Sequence, residues 1–231
     1  MKIAIMQPYI FPYLGYFQLI NYVDTFLIYD DANYINRGYI NRNNILYNGN
    51  PKRFTIPVVG ASQNKLIKDL HFSENVKKPL ELIRHAYSKA PYFKDVYPLI
   101  ESTLYANDRS ISSVCLKGIT SVMSYLDISR EFGFTKNLNY DRSLDAQEKI
   151  ISICLNFKAN EYVNSVGGSA LYSKDVFWEN GIKLSFLKSI PTSYAQKSED
   201  SSFIPNLSII DLLMWQSPSN AKALLSQFSL S

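Results

Sequence analysis

The chain has 231 residues, 46% hydrophobic and 19% charged, which are the proportions of a folded protein and exclude disorder as the default for any long segment. Its formal net charge of +4, with no basic cluster denser than "VKKP" or "NPKRF", argues against a nucleic-acid partner and leaves a small anionic ligand open. Cys115 and Cys154 fit neither a disulfide framework nor a zinc site, and no run of ~18 apolar residues predicts a membrane span. The start "MKIAIMQ" lacks the apolar run and cleavage site of a signal peptide, so a cytoplasmic protein is expected.

In chain order, "KIAIM" reads as a buried strand. "YFQLINYV" reads as a helix with Phe17, Ile20 and Val23 on one face, and "TFLIYD" as a second strand. Two strands joined by a helix predict a right-handed βαβ unit and a parallel sheet. "GYINRNNILYNGNPKRFTIPVV" is strand-like around a "YNGNP" turn, and "KLIKDLHF" reads as a strand with Leu66, Lys68, Leu70 and Phe72 on one side. The middle is helical. "KPLELIRHAYSKA" is stopped by Pro91, "YFKDVYPLIESTLYA" is kinked or bounded at Pro98, and "SISSVCLKGITSVMSYL" is capped by Ser110. "SLDAQEKIISICLNF" places Leu144, Ile151 and Leu155 on one stripe, with Ser143 or Asp141 as its cap. "NEYVNSVGGSALYS" reads as strand, glycine turn and helix, "IKLSFL" as a late strand, and "PNLSIIDLLMWQ" and "SNAKALLSQFSL" as closing helices. The expected fold is one α/β domain over residues 1–231 with a mostly parallel, Rossmann-like sheet flanked by helices. A helical insertion is expected at roughly 77–130.

In an open α/β sheet, ligands bind outside the carboxyl ends of the strands. That rule gathers three segments: Gln7 to Tyr16, the pair Asp30 and Asp31, and Ser165 to Ser169. The first carries Gln7, Tyr9, Tyr13, Gly15 and Tyr16. Pro8 and Pro12 stiffen it and remove two N–H donors, so it is no phosphate nest. Gln7 suits an amide, a hydroxyl or a base edge, the tyrosines a ring, and Gly15 a close approach to a helix N-terminus. As a carboxylate pair, Asp30 and Asp31 could hold a metal, contact a ribose, act as a general base or simply end the strand in a turn. Arg37, Asn41 and Arg42 offer groups for a phosphate or carboxylate, or a polar hairpin face. Ser165, Gly167 and Gly168 could bring backbone N–H groups to an anion, and Gln196 adds an amide next to an acidic loop. Ser208 with Asp211 spells a capping box, which accounts for both. His71 and His85 have no metal-ligand spacing, no metal site is indicated, and the cofactor is left open.

The stretches "MQPYIFPYLGYFQLI", "DTFLIYDDANYINRGYINRNNIL", "AYSKAPYF", "EYVNSVGGSALY" and "YAQ…FIPNLSIIDLLM" together resemble the WbqC-like family of bacterial O-antigen and related polysaccharide clusters. The resemblance covers nearly the whole chain and implies a role in surface-glycan biosynthesis. The opening strand, loop, "YLGY", helix and strand also look like the start of the nucleotidylyltransferase superfamily that includes pantothenate synthetase. There an H-x-G-H motif holds ATP phosphates; here Tyr13, Gly15 and Tyr16 spell Y-x-G-Y, and tyrosine supplies no imidazolium. The expectation is N-acyl or aminoacyl transfer to a nucleotide-linked amino sugar, with a small acyl or aminoacyl donor as second partner. In that scheme Arg37 and Arg42 hold the diphosphate, Gln7 and Tyr9 the sugar or acyl amide, and Asp30 or Asp31 is the base. A non-catalytic sugar-binding component, an adenylate-forming ligase and a homodimer stay open.

Overall fold

The computed structural model describes residues 1–190, 193–196 and 203–231. It begins as the sequence predicts, with β1 (Lys2–Met6), α1 (Leu14–Tyr22) and β2 (Thr25–Ile28) forming a parallel βαβ unit in which Ile3 pairs with Thr25 and Met6 with Ile28. A hairpin, β3 (Arg42–Tyr47) and β4 (Asn50–Thr55), turns at Asn48 and Gly49, both left-handed, as "YNGNP" requires. Two short strands follow, β5 (Val58–Val59) and β6 (His71–Phe72). Then come α2 (Lys77–Tyr87), α3 (Phe93–Leu104), α4 (Ile111–Tyr125), β7 (Glu131–Phe134) and α5 (Ala146–Asn156). The chain continues through β8 (Glu161–Ser165), α6 (Lys174–Glu179), β9 (Lys183–Ser189), α7 (Ile209–Trp215), α8 (Pro218–Leu224) and β10 (Phe228–Leu230).

The central sheet has six strands in the order β10-β9-β8-β1-β2-β7, all parallel but for β10 at one edge. The mostly parallel α/β sheet expected from sequence is therefore present. Period-two alternation divides the core. Ile3, Ile5, Leu27, Tyr162, Leu184 and Phe186 enter one layer with α5 and α6, while Ala4, Phe26, Ile28, Val163 and Leu187 enter the other with α1, α2, α3, α4 and α7. The chain leaves β1 toward β2 on one side and reaches its other neighbour, β8, only late. This reversal is the switch point beside which ligands bind in such sheets.

Four local expectations are corrected. "KLIKDLHF" is not one strand: Ile67–Asp69 is a 3-10 turn that buries Ile67 and Leu70 on one side, and only His71 and Phe72 pair as a strand. Pro98 lies inside α3 instead of bounding it, because Val96, Ile100 and Leu104 bury that helix across the missing N–H. The cap of α5 is Asp145, in a capping box with Glu148, while Asp141 is spent on the N–H of Ser143. Its buried stripe is Ile150, Ile151, Ile153 and Cys154, with Leu155 half-exposed. "VGGSAL" is a 3-10 helix, not an α-helix. Among the described residues no helix is long and apolar enough to cross a membrane.

A buried amide ties α1 to the far edge of the sheet. Gln18 Nε2 donates to the carbonyls of Leu224 and Gln227, both at 2.9 Å, and Gln18 Oε1 accepts from Ser189 Oγ. Gln18→Leu deletes the three hydrogen bonds of this amide, each worth roughly 0.5–1.5 kcal/mol net, and is expected to cost about 2–4 kcal/mol even though the Leu224 and Gln227 carbonyls keep backbone donors. Urea unfolding should show a lowered midpoint at unchanged slope. An unchanged midpoint would contradict a structural role for this amide.

Candidate functional site

The loop after β1 is pinned before it can be a site. Phe11 is buried in a left-handed conformation, φ 43°. Its carbonyl accepts from Asn43 Nδ2 at 2.7 Å and from Ser208 Oγ at 2.7 Å. The N–H of Ile209 donates to the Pro12 carbonyl at 2.8 Å, and that of Ile10 to the Ile40 carbonyl at 3.0 Å. The start of α7 and the hairpin strand β3 thus hold the loop over the carboxyl end of β1.

Beside it opens a cleft of two adjoining lobes, about 590 and 350 Å³, which share Tyr13, Gly15, Ser189, Pro205, Asn206 and Leu207. The larger lobe adds Tyr9, Tyr39, Asn44, Ser165, Gly167 and Lys188; the smaller adds Tyr194 and Phe203. Ser165 and Ser189 end β8 and β9, so the cleft stands outside the carboxyl ends of the strands next to the switch point. Tyr9 is the hub of its aromatic wall, with ring centroids 6.4 Å from Tyr13, 6.1 Å from Tyr16 and 5.7 Å from Tyr39. The hydroxyls of Tyr9, Tyr13 and Tyr39 bond to no described residue, so they are free to meet a ligand. Burial raises the phenol pKa of Tyr9, with help from Tyr39 and Tyr13, and burial raises that of Tyr13 as well, so both remain protonated donors.

The structure brings some of the sequence-predicted residues together and separates others. Tyr9, Tyr13, Gly15, Ser165 and Gly167 line the cleft. Tyr16 is buried in the core and spends its hydroxyl on the Gln7 carbonyl at 2.9 Å. The Gln7 side chain is not a wall of the cleft, and Gly168 is buried beneath it, with no room for a Cβ against Asn164 Nδ2. Arg37 is exposed on a left-handed turn, Arg42 Nε donates to the Gly38 carbonyl at 2.7 Å, and Asn41 Nδ2 to the Ile56 carbonyl at 2.8 Å. Neither arginine lines the cleft; among the described residues Lys188 is the cation that does.

Asp30 and Asp31 also stand apart from it. Asp30 accepts from the Lys136 N–H at 3.1 Å, and its Oδ2 lies 3.3 Å from Lys136 Nζ in an ion pair off hydrogen-bond geometry. Asp31 accepts from Thr135 Oγ1 at 2.5 Å, Tyr140 Oη at 2.7 Å and Arg142 Nε at 2.9 Å. Every partner comes from the chain after β7, so these carboxylates fasten that segment to β2, and nothing in this arrangement supports a base role. His71 and His85 are exposed elsewhere, and the acidic loop at Glu199 and Asp200 lies outside the described residues.

Sequence reasoning missed Tyr39, Asn44, Lys188, Asn206, Tyr194 and, above all, Asp211. Ser208 does cap α7, accepting from the Ile210 N–H, but Asp211 does not turn back to complete a capping box. It is fully buried and accepts from Tyr87 Oη at 2.7 Å, Tyr194 Oη at 2.8 Å and Gln196 Nε2 at 2.9 Å. Gln196, predicted as a site residue, thereby joins the cleft wall through Tyr194.

Burial raises the Asp211 pKa above 3.8, against the lowering effect of its three donors. The folded state then binds a proton more tightly than the unfolded state. The stability due to Asp211 is complete below the unfolded value and is lost as pH rises through the folded one, with a slope of at most about 1.4 kcal/mol per pH unit. Urea midpoints across pH 3–8 should show wild type losing stability relative to Asp211→Asn as pH rises through that window. A pH-independent difference would mean an ordinary carboxylate.

Among the described residues no group of three or more His, Cys, Asp or Glu could hold a metal ion. No solved structure matches the chain. The uncharacterized protein Rv1507c of Mycobacterium tuberculosis is 28% identical over 218 residues, covering 92% of each chain. The match to the WbqC-like protein family spans residues 7–223, which includes the loop, the cleft and the Asp211 network, and the chain belongs to that family.

Proposed function

We propose that the cleft binds the sugar of a nucleotide-linked amino sugar, and that the protein transfers a small acyl or aminoacyl group to it in bacterial surface-glycan (O-antigen) biosynthesis. The observation that carries this reading is the wall of Tyr9, Tyr13 and Tyr39, whose hydroxyls have no described partner. Phenol rings stack on the apolar face of a pyranose, and their hydroxyls with the amides of Asn44 and Asn206 meet its hydroxyl rim. Lys188 at the edge suits the carrier phosphate. An ATP-using ligase is less well supported: Tyr16 is turned into the core, and Lys188 is the only described cation lining the cleft to face a triphosphate. A non-catalytic binding role is favoured by one observation, that no described carboxylate, histidine or cysteine lines the cleft directly.

Calorimetric titration with a panel of nucleotide-linked amino sugars, UDP-glucosamine first, tests the reading. Tyr9→Ala and Tyr39→Ala should each weaken binding about tenfold, the roughly 1.4 kcal/mol that one ring contact supplies. Arg37→Ala, outside the cleft, should bind as wild type does. Equal affinity for wild type and both tyrosine variants would sink the proposal. Mass spectrometry of the sugar after incubation with acyl thioesters separates transfer from binding alone.

A further inference from the structure

Four carboxylates among the described residues have their side chains buried or nearly so. Asp30, Asp31 and Glu161 each have a cation, at 3.3, 2.9 and 3.5 Å. Asp211 has none among the described residues, where its partners are Tyr87, Tyr194 and Gln196. Burying a carboxylate without a cation costs several kcal/mol, so holding one in place beside a cleft calls for a reason beyond packing.

The geometry of Tyr194 supplies one. Tyr194 lines the smaller lobe, donates its proton to Asp211 Oδ2, and accepts from Gln196 Nε2 at 3.1 Å. A phenol oxygen has two lone pairs, and no other described residue takes the second. We propose that Tyr194 and Asp211 form a proton-accepting pair in the cleft wall, which deprotonates the amino or hydroxyl group of the bound sugar; this rests on the sugar-binding reading above.

The balance is simple. The ligand N–H or O–H bond breaks as its proton passes to Tyr194 Oη, while the Tyr194 proton passes to Asp211 Oδ2. Proton loss accompanies attack: the lone pair of the ligand nitrogen or oxygen forms the bond to the carbonyl carbon of an acyl thioester, and the N–H or O–H electron pair stays behind as its new lone pair. The C–S bond then breaks, the thiolate leaves with that bond's electron pair, and it takes the proton back along the same path, which returns the pair to its starting state. Gln196 is a positioning residue, fixing Tyr194 and Asp211 while its Oε1 accepts from the Ile204 N–H. Among the described residues the titratable groups facing Asp211 are Tyr87 from α2 and Tyr194, and β3, α3 and α8, which also pack on α7, bring it no charged group. Burial raises the Asp211 pKa, which makes its carboxylate a better proton acceptor near neutral pH.

The experiment uses the full chain labelled with ¹³C at aspartate carboxyls, the Asp211 signal being assigned by its loss in Asp211→Asn. Asp211 should titrate above the ordinary carboxylate range, and saturating UDP-glucosamine should shift that titration in wild type but much less in Tyr194→Phe. With acetyl-coenzyme A as thioester, Tyr194→Phe should bind the sugar within about threefold of wild type and lose at least about 100-fold in turnover, the usual contribution of a positioned base. Titration in the ordinary range, a titration unmoved by bound sugar, or wild-type turnover in Tyr194→Phe would each overturn the pair. If wild type binds the sugar but transfers nothing, the transfer reading fails, while a ligand-dependent titration still supports the pair. If no sugar in the panel binds, both readings fall.

Discussion

The cleft depends on one carbonyl, that of Phe11. A left-handed conformation at a bulky residue costs on the order of 1–3 kcal/mol, and it persists here because the surroundings leave no alternative. Two donors, Asn43 and Ser208, converge on the carbonyl from positions 32 and 197 residues away, each worth roughly 1 kcal/mol net. The buried ring adds about 2 kcal/mol of apolar burial. With Phe11 so held, the chain doubles back across the end of β1. Tyr9 and Tyr13 then flank the turn, α1 starts immediately after it, and α7 docks against it through the Ile209 N–H to Pro12 bond. The aromatic wall is therefore a consequence of how Phe11 is held, and no loose loop is needed to present it.

What was legible in the sequence was whatever a short window decides. The first strand, helix and second strand carry their own apolar patterns, and each is buried where its pattern places it. The stiff, ring-bearing character of "QPYIFPY" followed from its prolines and tyrosines. The capping box of α5 was also there to be read, as D-A-Q-E. Asp211 was not legible, because S-x-x-D is spelled the same whether the carboxylate turns back on its own helix or outward to distant partners. The decisive partner, Tyr87, lies 124 residues away. The same ambiguity covers Asp30 and Asp31. A strand-ending carboxylate pair looks identical whether free for chemistry or bound to Lys136, Tyr140 and Arg142 more than a hundred positions on.

The Y-x-G-Y stretch shows how a nucleotide-fold position can present different chemistry. At this point in such folds a glycine lets phosphate approach a helix N-terminus. Here a Cβ on Gly15 would stand 2.6 Å from Tyr13 Cε2 and 2.9 Å from Ser189 Oγ, so the glycine makes room for a ring and for β9. The Tyr13 ring lies over the first turn of α1, and the second tyrosine, Tyr16, is consumed in the core. What faces the cleft is thus an apolar ring face with a neutral hydroxyl, kept protonated by its burial. That surface is poorly matched to a triphosphate and well matched to a polar ring. Among the described residues, a phenol of the wall rests on a buried carboxylate at one place, Tyr194 on Asp211, and that contact is where the proposed proton transfer belongs.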